Sequence, residues 1–125
     1  VVRQLAELAF AAQQYGLLKM DELIQDTNRY PDMFLRKAVN MAVEIPDADK
    51  IRKLLCNYIM TSKQLTNHQF LSEIIIMETM CALSEEAGND YIFNYLLPSY
   101  FGIEYEDMVV NVYRNYKQEL LKEMN

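Results

Sequence analysis

Apolar residues recur at helical spacing along most of the chain, and only three glycines and three prolines interrupt them. In the first segment, Leu5, Leu8 and Ala12 fall at positions i, i+3 and i+7, which is the period of one helix face. Gly16 follows at the place where a left-handed residue commonly ends a helix. A second, short helix is predicted from about Leu18 to about residue 28. The pattern therefore predicts two helices joined at Gly16.

Proline and aspartate mark the next two predicted helices. Pro31 cannot lie inside a helix, because it lacks the amide donor and clashes with the preceding turn, so a third helix is expected from about Asp32. Pro46 ends that helix, and Asp47 can accept hydrogen bonds from the free amides of a fourth. The predicted core-facing residues are Phe34, Ala38, Met41, Ala42 and Ile45 in the third helix and Ile51, Leu54, Leu55, Tyr58 and Ile59 in the fourth.

The segment 61–68 is polar and predicts a turn, whereas apolar residues cover most of the helix circumference from 67 to 87. A helix that is apolar nearly all round is typical of a central, buried position. Three consecutive isoleucines, 74–76, would also fit a strand. A helix is favoured because glutamates flank them and no glycine or proline lies within this stretch of about 20 residues.

The C-terminal part of the chain predicts two further helices. Gly88 ends the central helix, Asn89 or Asp90 can cap a sixth one, and the segment 98–102 breaks the chain again. The last predicted helix has an apolar face that consists of Val109, Val112, Tyr113, Tyr116 and Leu120.

A length of 125 residues, with 51% hydrophobic and 24% charged residues, is typical of one globular domain. We therefore predict a single all-α domain over 1–125, a compact bundle of about six to seven helices. The longest stretch without a charged residue is 91–103, only 13 residues. A membrane-spanning helix needs about 20 apolar residues, so no membrane span is predicted.

The acidic charge balance restricts the expected partners. Twelve Lys and Arg residues against 18 Asp and Glu residues leave a net charge of −6. A surface of this sign repels phosphate backbones, so we expect no nucleic-acid partner. Both cysteines, Cys56 and Cys81, lie in apolar stretches. Reduced thiols are favoured there, with a bridge between neighbouring helices as the alternative.

Residues that could support catalysis or metal binding are sparse. The one histidine, His68, has no cysteine or acid at the spacing of metal ligands, which favours a surface or capping role. Asp47 and Asp49 form an Asp-x-Asp pair without the glycine and glutamate of a calcium loop. Three isolated glycines cannot form a phosphate-binding loop. We therefore expect no enzyme activity, metal or cofactor.

Tyrosine is concentrated near the C-terminus, where six of the nine tyrosines lie within 91–116. A tyrosine ring contributes a large apolar area while its hydroxyl stays in water, so tyrosines suit protein interfaces. Packing of these rings on the core is favoured, and an exposed docking patch is the alternative.

Three pieces, in order, resemble the cytoplasmic region of MotA-type flagellar stator subunits, in the MotA/TolQ/ExbB proton-channel family. Leu5–Ala9 leading to Gly16–Leu18 is similar to the family's leucine-alanine helix and glycine-leucine-leucine turn. Pro31–Val39 looks like the helix start that in the family carries phenylalanine, leucine and two lysines. Asp47–Leu55 is similar to its aspartate-led helix with isoleucine, arginine and paired leucines. This resemblance covers residues 5–59.

A second stretch, 71–101, is similar to the family's final cytoplasmic helix, with Gly88-Asn89 at its turn and a leucine-proline end at 96–98. The chain then divides into stator-like helices over 1–60 and, over 67–125, the central apolar helix with the tyrosine-rich C-terminal helices. In a full stator subunit a pair of membrane helices separates the two regions, and here about ten polar residues stand between them.

The resemblance also implies a rotor-contact site. The family uses a basic residue three positions before the glycine and an acid five positions after it, and these positions are Gln13 and Asp21. The acid is retained and the positive charge is not, although Lys19 lies close by. The residues that the resemblance nominates for protein interaction are Asp21, Lys19, Glu22, Arg36 and Lys37.

Two functions follow as hypotheses. The first is a non-enzymatic protein-interaction domain that resembles the rotor-contacting part of a bacterial stator subunit. It would lie in the cytoplasm, at the inner membrane if the chain belongs to a longer channel subunit. The second is a helical adaptor or regulatory domain without a motor role. Both predict a protein partner, either a rotor or regulatory protein or a second copy of the chain.

Overall fold

The computed structural model describes residues 1–63 and 66–123, and every regular element in these two ranges is a helix, which confirms the predicted all-α bundle. None of the helices found there combines the length and apolar composition needed to cross a membrane. The described ranges contain seven helices: α1 (Val2–Tyr15), α2 (Leu18–Leu23), α3 (Met33–Glu44), α4 (Ala48–Thr61), α5 (Asn67–Ser84), α6 (residues 89–99) and α7 (Glu106–Glu123).

The sixth helix contains a π-helical turn, and a 3₁₀ turn joins it to the seventh helix. The middle of α6, Ile92–Leu96, is a π-helical turn between the short α-helical pieces Asn89–Tyr91 and Leu97–Ser99. A 3₁₀ turn, Ile103–Tyr105, leads into α7. Gly102 precedes it with φ +92°, a conformation that side-chain-bearing residues rarely adopt, so the predicted break after α6 is confirmed.

Short polar side chains fix the helix ends at several predicted places. Asp32 Oδ1 accepts hydrogen bonds from the amides two and three residues on, at 2.9 and 3.4 Å, and Asp47 Oδ1 accepts the same pair at 3.0 and 3.3 Å. Thr66 and Gln69 exchange side-chain to backbone hydrogen bonds at the start of α5. Gly16 ends α1 with φ +95°. Each such cap stabilises its helix by about 1 kcal/mol.

The centre of the bundle is the C-terminal half of α5, where residues 75–77 and 79–83 are buried. This helix packs on α3, α4 and α1, while α1 also packs on α2 and α7. Burial of each large apolar side chain contributes about 1.5–3 kcal/mol, so the central apolar helix predicted from sequence anchors the fold. The described N-terminal turn of α5 lies at the surface.

The second helix is shorter than predicted, because α2 ends at Leu23 rather than near residue 28. The cause is local competition for the backbone amides. Asp26 Oδ1 accepts hydrogen bonds from the amides of Asn28 and Arg29 at 3.1 and 3.3 Å. Aspartate favours such turns over helix interiors. The turn carries the chain to Tyr30, whose side chain is buried.

The central helix also ends earlier than expected, at Ser84 rather than at Gly88. The chain leaves it through Glu86, which has φ +61° and replaces the expected glycine as the left-handed residue. At the other end, Thr61 still belongs to α4 and the fifth helix begins at Asn67, so the predicted turn 61–68 is shorter. Its residues 64 and 65 lie outside the described part.

The predicted cap of the sixth helix is wrong. The position before the helix is occupied by Gly88, and no side chain caps the free amides. Asn89 is buried and donates a hydrogen bond from Nδ2 to Gln13 Oε1 at 2.7 Å, which ties α6 to α1. Asp90 instead accepts a hydrogen bond from the Tyr113 hydroxyl at 3.0 Å.

Three of the apolar residues predicted in the core are exposed, and four others, Phe34, Ile45, Tyr116 and Leu120, are only partly buried. Leu54 and Tyr58 of α4 are 38% and 48% exposed, and Val112 of α7 is 37% exposed. The helix α4 packs mainly on α3 and α5 and therefore buries only a narrow stripe. That stripe is Ile51, Leu55 and Ile59.

Candidate functional site

A shallow groove between α2 and α3 brings together three of the five residues nominated from sequence. Asp21, Arg36 and Lys37 line it with two apolar and two amide side chains, and its volume is about 350 Å³. We refer to it as the α2–α3 groove, lined by Asp21, Ile24, Gln25, Met33, Arg36, Lys37 and Asn40.

The geometry of this groove follows from the ends of the two helices. Gly16 starts the turn into α2, and the Asp32 cap fixes the first turn of α3. Arg36 donates its backbone amide to Asp32 O at 3.1 Å, so Arg36 and Lys37 lie one turn into α3. Two capping residues that are recognisable in the sequence thus place an acid and two bases on one surface.

The charges in the groove are not neutralised by any other residue that the structure describes. Over residues 1–63 and 66–123, Asp21, Arg36 and Lys37 form no ion pair within 4 Å. The Nε atom of Arg36 is buried and has no hydrogen-bond partner there. Lys37 Nζ lies 5.8 Å from the centroid of the Tyr58 ring. The groove therefore presents charges of both signs to an incoming partner.

The other two nominated residues do not line the α2–α3 groove. Lys19 Nζ lies 3.0 Å from Glu22 Oε2, so these two side chains pair with each other on the surface of α2. Lys19 also lies 5.8 Å from the ring centroid of Tyr15. It lines a second groove on the opposite side of α2, so the structure separates Lys19 and Glu22 from the other three residues.

This second groove, between α1, α2 and α7, is larger and more apolar. Its volume is about 750 Å³, and its walls include Phe10, Leu23, Tyr116, Leu120 and Leu121. We call it the α1–α2–α7 groove. Sequence reasoning did not find it, because its walls come from helices about 100 residues apart in the chain.

A buried carboxylate lies at the edge of the α1–α2–α7 groove. Glu7 Oε2 accepts hydrogen bonds from Arg29 Nε and Nη2 at 2.9 and 2.6 Å and from the Tyr30 hydroxyl at 2.8 Å. Glu7 Oε1 lies 3.5 Å from Arg3 Nε. Burial and the hydrogen bond that Tyr30 donates to Glu7 raise the pKa of Tyr30, and the hydrogen bonds that Arg29 donates to Glu7 raise the pKa of Arg29. This network is internally compensated, so its main role is structural.

The tyrosine-rich segment divides between core and surface. Tyr113 is buried and stacks on Phe93 with ring centroids 4.8 Å apart, and Tyr116 packs edge-on against Phe10. Tyr95 is 72% exposed. Core packing is therefore found for Tyr113 and Tyr116, whereas Tyr95 is exposed, and a docking role for the exposed tyrosines stays a prediction.

The residues considered for chemistry are dispersed. His68 is exposed at the start of α5, and no group of three or more potential metal ligands occurs in the stretches that the structure describes. Both cysteines are free thiols. Cys81 Sγ donates to Ala48 O at 3.5 Å, and burial raises the pKa of the Cys81 thiol to about 11. A raised pKa disfavours the reactive thiolate.

None of the protein-family models, curated proteins or solved structures with which the chain was compared matches it.

Proposed function

We propose that this chain is a non-enzymatic protein-interaction domain that docks a charged protein partner through the α2–α3 groove. The observation that carries the proposal is the convergence of Asp21, Arg36 and Lys37 on one surface without ion-pair partners among the described residues. Charges that are already paired within a chain gain little from a partner. Charges left unpaired gain both orientation and speed of association.

The partner that fits this groove presents charges of both signs. A basic side chain would lie against Asp21, and an acidic side chain would lie against Arg36 and Lys37. The apolar residues Ile24 and Met33 line the same groove; Ile24 is buried and Met33 is 82% exposed. Charged groups beside an exposed apolar side chain are common in protein interfaces.

We further propose that the partner is a flagellar rotor protein, as the resemblance to MotA-type stator subunits implies. The proposal gives Asp21 the role of the acid that follows the glycine in that family. The position of the family's basic residue is Gln13, which lines a different pocket, beside Gly16 and Asn89. Arg36 and Lys37 would therefore supply the positive charge in this chain. The domain would act in the cytoplasm and transmit force or regulation.

Reversal of the acid tests this proposal. Asp21→Lys should weaken binding to the purified rotor protein of the source bacterium at least about ten-fold, since it removes one attraction and adds a repulsion. It should also reduce swimming of cells that carry the substitution in the full-length protein. Glu44→Lys is the matched control, because it makes the same charge change at an exposed position outside the groove.

Equal binding and equal swimming for Asp21→Lys and Glu44→Lys, at normal expression, would remove the motor assignment. A complementary reversal in the rotor protein that restores binding to Asp21→Lys would identify the facing residue. Failure of the unmodified chain to bind the rotor protein would have the same negative meaning.

The α1–α2–α7 groove favours the second candidate, an adaptor without a motor role. Its apolar walls and volume of about 750 Å³ suit the apolar face of a partner helix. Photo-crosslinking from two exposed glutamines separates the candidates, because Gln25 lines the α2–α3 groove and Gln14 lines the other one. Crosslinks to the rotor protein from Gln25 alone support the stator-like function. Crosslinks to a different protein from Gln14 alone support the adaptor.

A further inference from the structure

The positive charges of the chain are distributed very unevenly. No lysine or arginine occurs between residues 64 and 113, whereas eight acids do. The acids in this stretch are Glu73, Glu78, Glu85, Glu86, Asp90, Glu104, Glu106 and Asp107. The remaining residues carry twelve bases and ten acids. This stretch therefore contributes only negative charge. Glu78 pairs with Arg52 and Asp90 with Lys117, whereas Glu104 and Glu106 form no ion pair among the described residues.

Exposed apolar side chains accompany the acids where α6 turns into α7. A cavity of about 270 Å³ lies there, with Tyr95, Ile103 and Glu106 in its wall. Ile103 is 90% exposed, and Glu104 next to it is exposed as well. We call this surface the α6–α7 corner, defined by Asn94, Tyr95, Ile103, Glu104 and Glu106.

The composition of the corner indicates what could occupy it. Its exposed glutamates, Glu104 and Glu106, favour an occupant that brings positive charge. The exposed side chains Tyr95 and Ile103 favour one that also brings apolar surface.

The outer face of α4 has this complementary composition. Lys50 and Lys53 are exposed, and Leu54 and Tyr58 follow on the same side of the helix with 38% and 48% exposure. Residues three and four apart on a helix are neighbours, so the two lysines and the two apolar side chains form one stripe. We call this stripe the α4 face.

The two surfaces belong to different parts of the bundle. The helix α4 packs mainly on α3 and α5. The helix α7 packs on α1 and on two sections of α6, Ile92–Leu96 and Leu97–Ser99. The α4 face and the α6–α7 corner therefore lie on separate helices of one chain.

We propose that the α6–α7 corner docks the α4 face of a second copy of this chain. Such a contact is heterologous, because different surfaces of the two copies meet, and it leaves one free corner and one free α4 face at the ends. Addition of further copies is therefore possible. Each surface is defined by only a few side chains, whereas stable pairs bury roughly 800 Å² per partner, so we expect a weak association with a dissociation constant on the order of 100 µM.

Two variants that each break one surface test the proposal. Glu104→Lys with Glu106→Lys reverses the corner, and Lys50→Glu with Lys53→Glu reverses the α4 face. Sedimentation equilibrium at low salt should show concentration-dependent association of the unmodified chain. Each double variant alone should associate at least about ten-fold more weakly, since like charges then face each other.

A mixture of the two variants gives the sharpest outcome. Each variant keeps the surface that the other has lost, and the two reversed surfaces are again opposite in charge, so an equimolar mixture should regain the association that each variant lacks alone. A mixture that remains monomeric at concentrations where the unmodified chain associates would overturn the proposal. So would an unmodified chain that stays monomeric up to about 1 mM, ten times the expected dissociation constant.

Two controls keep the test decisive. Glu44→Lys with Glu85→Lys makes the same charge change at exposed positions outside both surfaces and should leave association unchanged. Ile103→Ser removes the apolar side chain of the corner without changing its charge, and it should weaken association about ten-fold even if the double reversal fails to fold. None of these substitutions lies in the α2–α3 groove, so failure here leaves the proposed rotor contact untouched.

Discussion

Two charged sites in the N-terminal half of the chain use their charges in opposite ways. Glu7 is buried, and its carboxylate is held by Arg29, Tyr30 and Arg3. Asp21 and Lys37, on the α2–α3 groove, carry no ion pair among the described residues. The first site connects α1 to the segment that follows α2, while the second is available to another molecule.

This difference separates charges that support stability, such as Glu7, from charges that are available for recognition, such as Asp21 and Lys37. A buried carboxylate without partners would cost several kcal/mol, so the contacts of Glu7 are a condition of its burial. Exposed charges contribute little to folding, because water solvates them well. Substitutions at the two sites should therefore separate stability from binding.

The largest effect is expected at the aromatic member of the buried site. Tyr30→Ala removes a side chain that is 1% exposed and leaves a cavity beside Glu7, so the free energy of unfolding should fall by about 3–5 kcal/mol. Tyr58→Ala, at a half-exposed position, should cost less than about 1 kcal/mol. Urea unfolding monitored by circular dichroism measures both. If the two variants lost the same unfolding free energy, burial of Tyr30 would contribute nothing beyond what the half-exposed Tyr58 contributes.

A smaller effect is expected from the carboxylate. Glu7→Gln keeps the shape of the side chain but removes the charge that accepts from Arg29 and Tyr30, so unfolding should become easier by about 1–3 kcal/mol. Glu22→Gln, which breaks only the surface pair with Lys19, should change stability by less than about 0.5 kcal/mol. If Glu7→Gln were as mild as Glu22→Gln, the assignment of Glu7 to stability would be wrong.

Alkaline pH should weaken the fold through buried groups that stay neutral in it. Burial and the hydrogen bond to Asp90 raise the pKa of Tyr113 to about 12 from its usual value near 10, and burial raises the pKa of Cys81 to about 11. The unfolded chain releases these protons first. Stability is therefore complete below about pH 9 and falls as pH rises towards 12.

Tyr113→Phe isolates one part of this dependence. The variant should lose about 1–2 kcal/mol less stability than the unmodified chain between pH 10 and 12, because the tyrosine can no longer ionise on unfolding. Urea unfolding across this range, with tyrosinate absorbance followed in parallel, measures the difference. Identical slopes for both proteins would contradict the raised pKa.

Much of the fold was predictable because local chemistry determines it. The breaks at Gly16 and Pro31, the start of α3 near Asp32 and the cap at Asp47 depend on single residues, and all are found in place. The early end of α2 was not predicted. It depends on Asp26, whose side chain can support either a helix or a turn until Tyr30 is buried nearby.

The sites were predictable only in part, for a related reason. The residues Asp21, Arg36 and Lys37 were nominated from sequence, and the structure places them on one groove. The sequence does not indicate the role of Glu7, because its partner Arg29 lies 22 residues away and becomes a neighbour only after folding. Likewise, sequence could not divide the exposed tyrosines from the buried ones.

At the α2–α3 groove we expect the charges to support binding and not stability. The double variant Asp21→Asn with Lys37→Gln neutralises two unpaired charges of this groove. Both the free energy of unfolding of the variant and its affinity for the proposed rotor partner can be measured. We predict unfolding within about 0.5 kcal/mol of the unmodified chain and an affinity at least about ten-fold lower. An unchanged affinity, or a loss of stability as large as that of Glu7→Gln, would contradict the account.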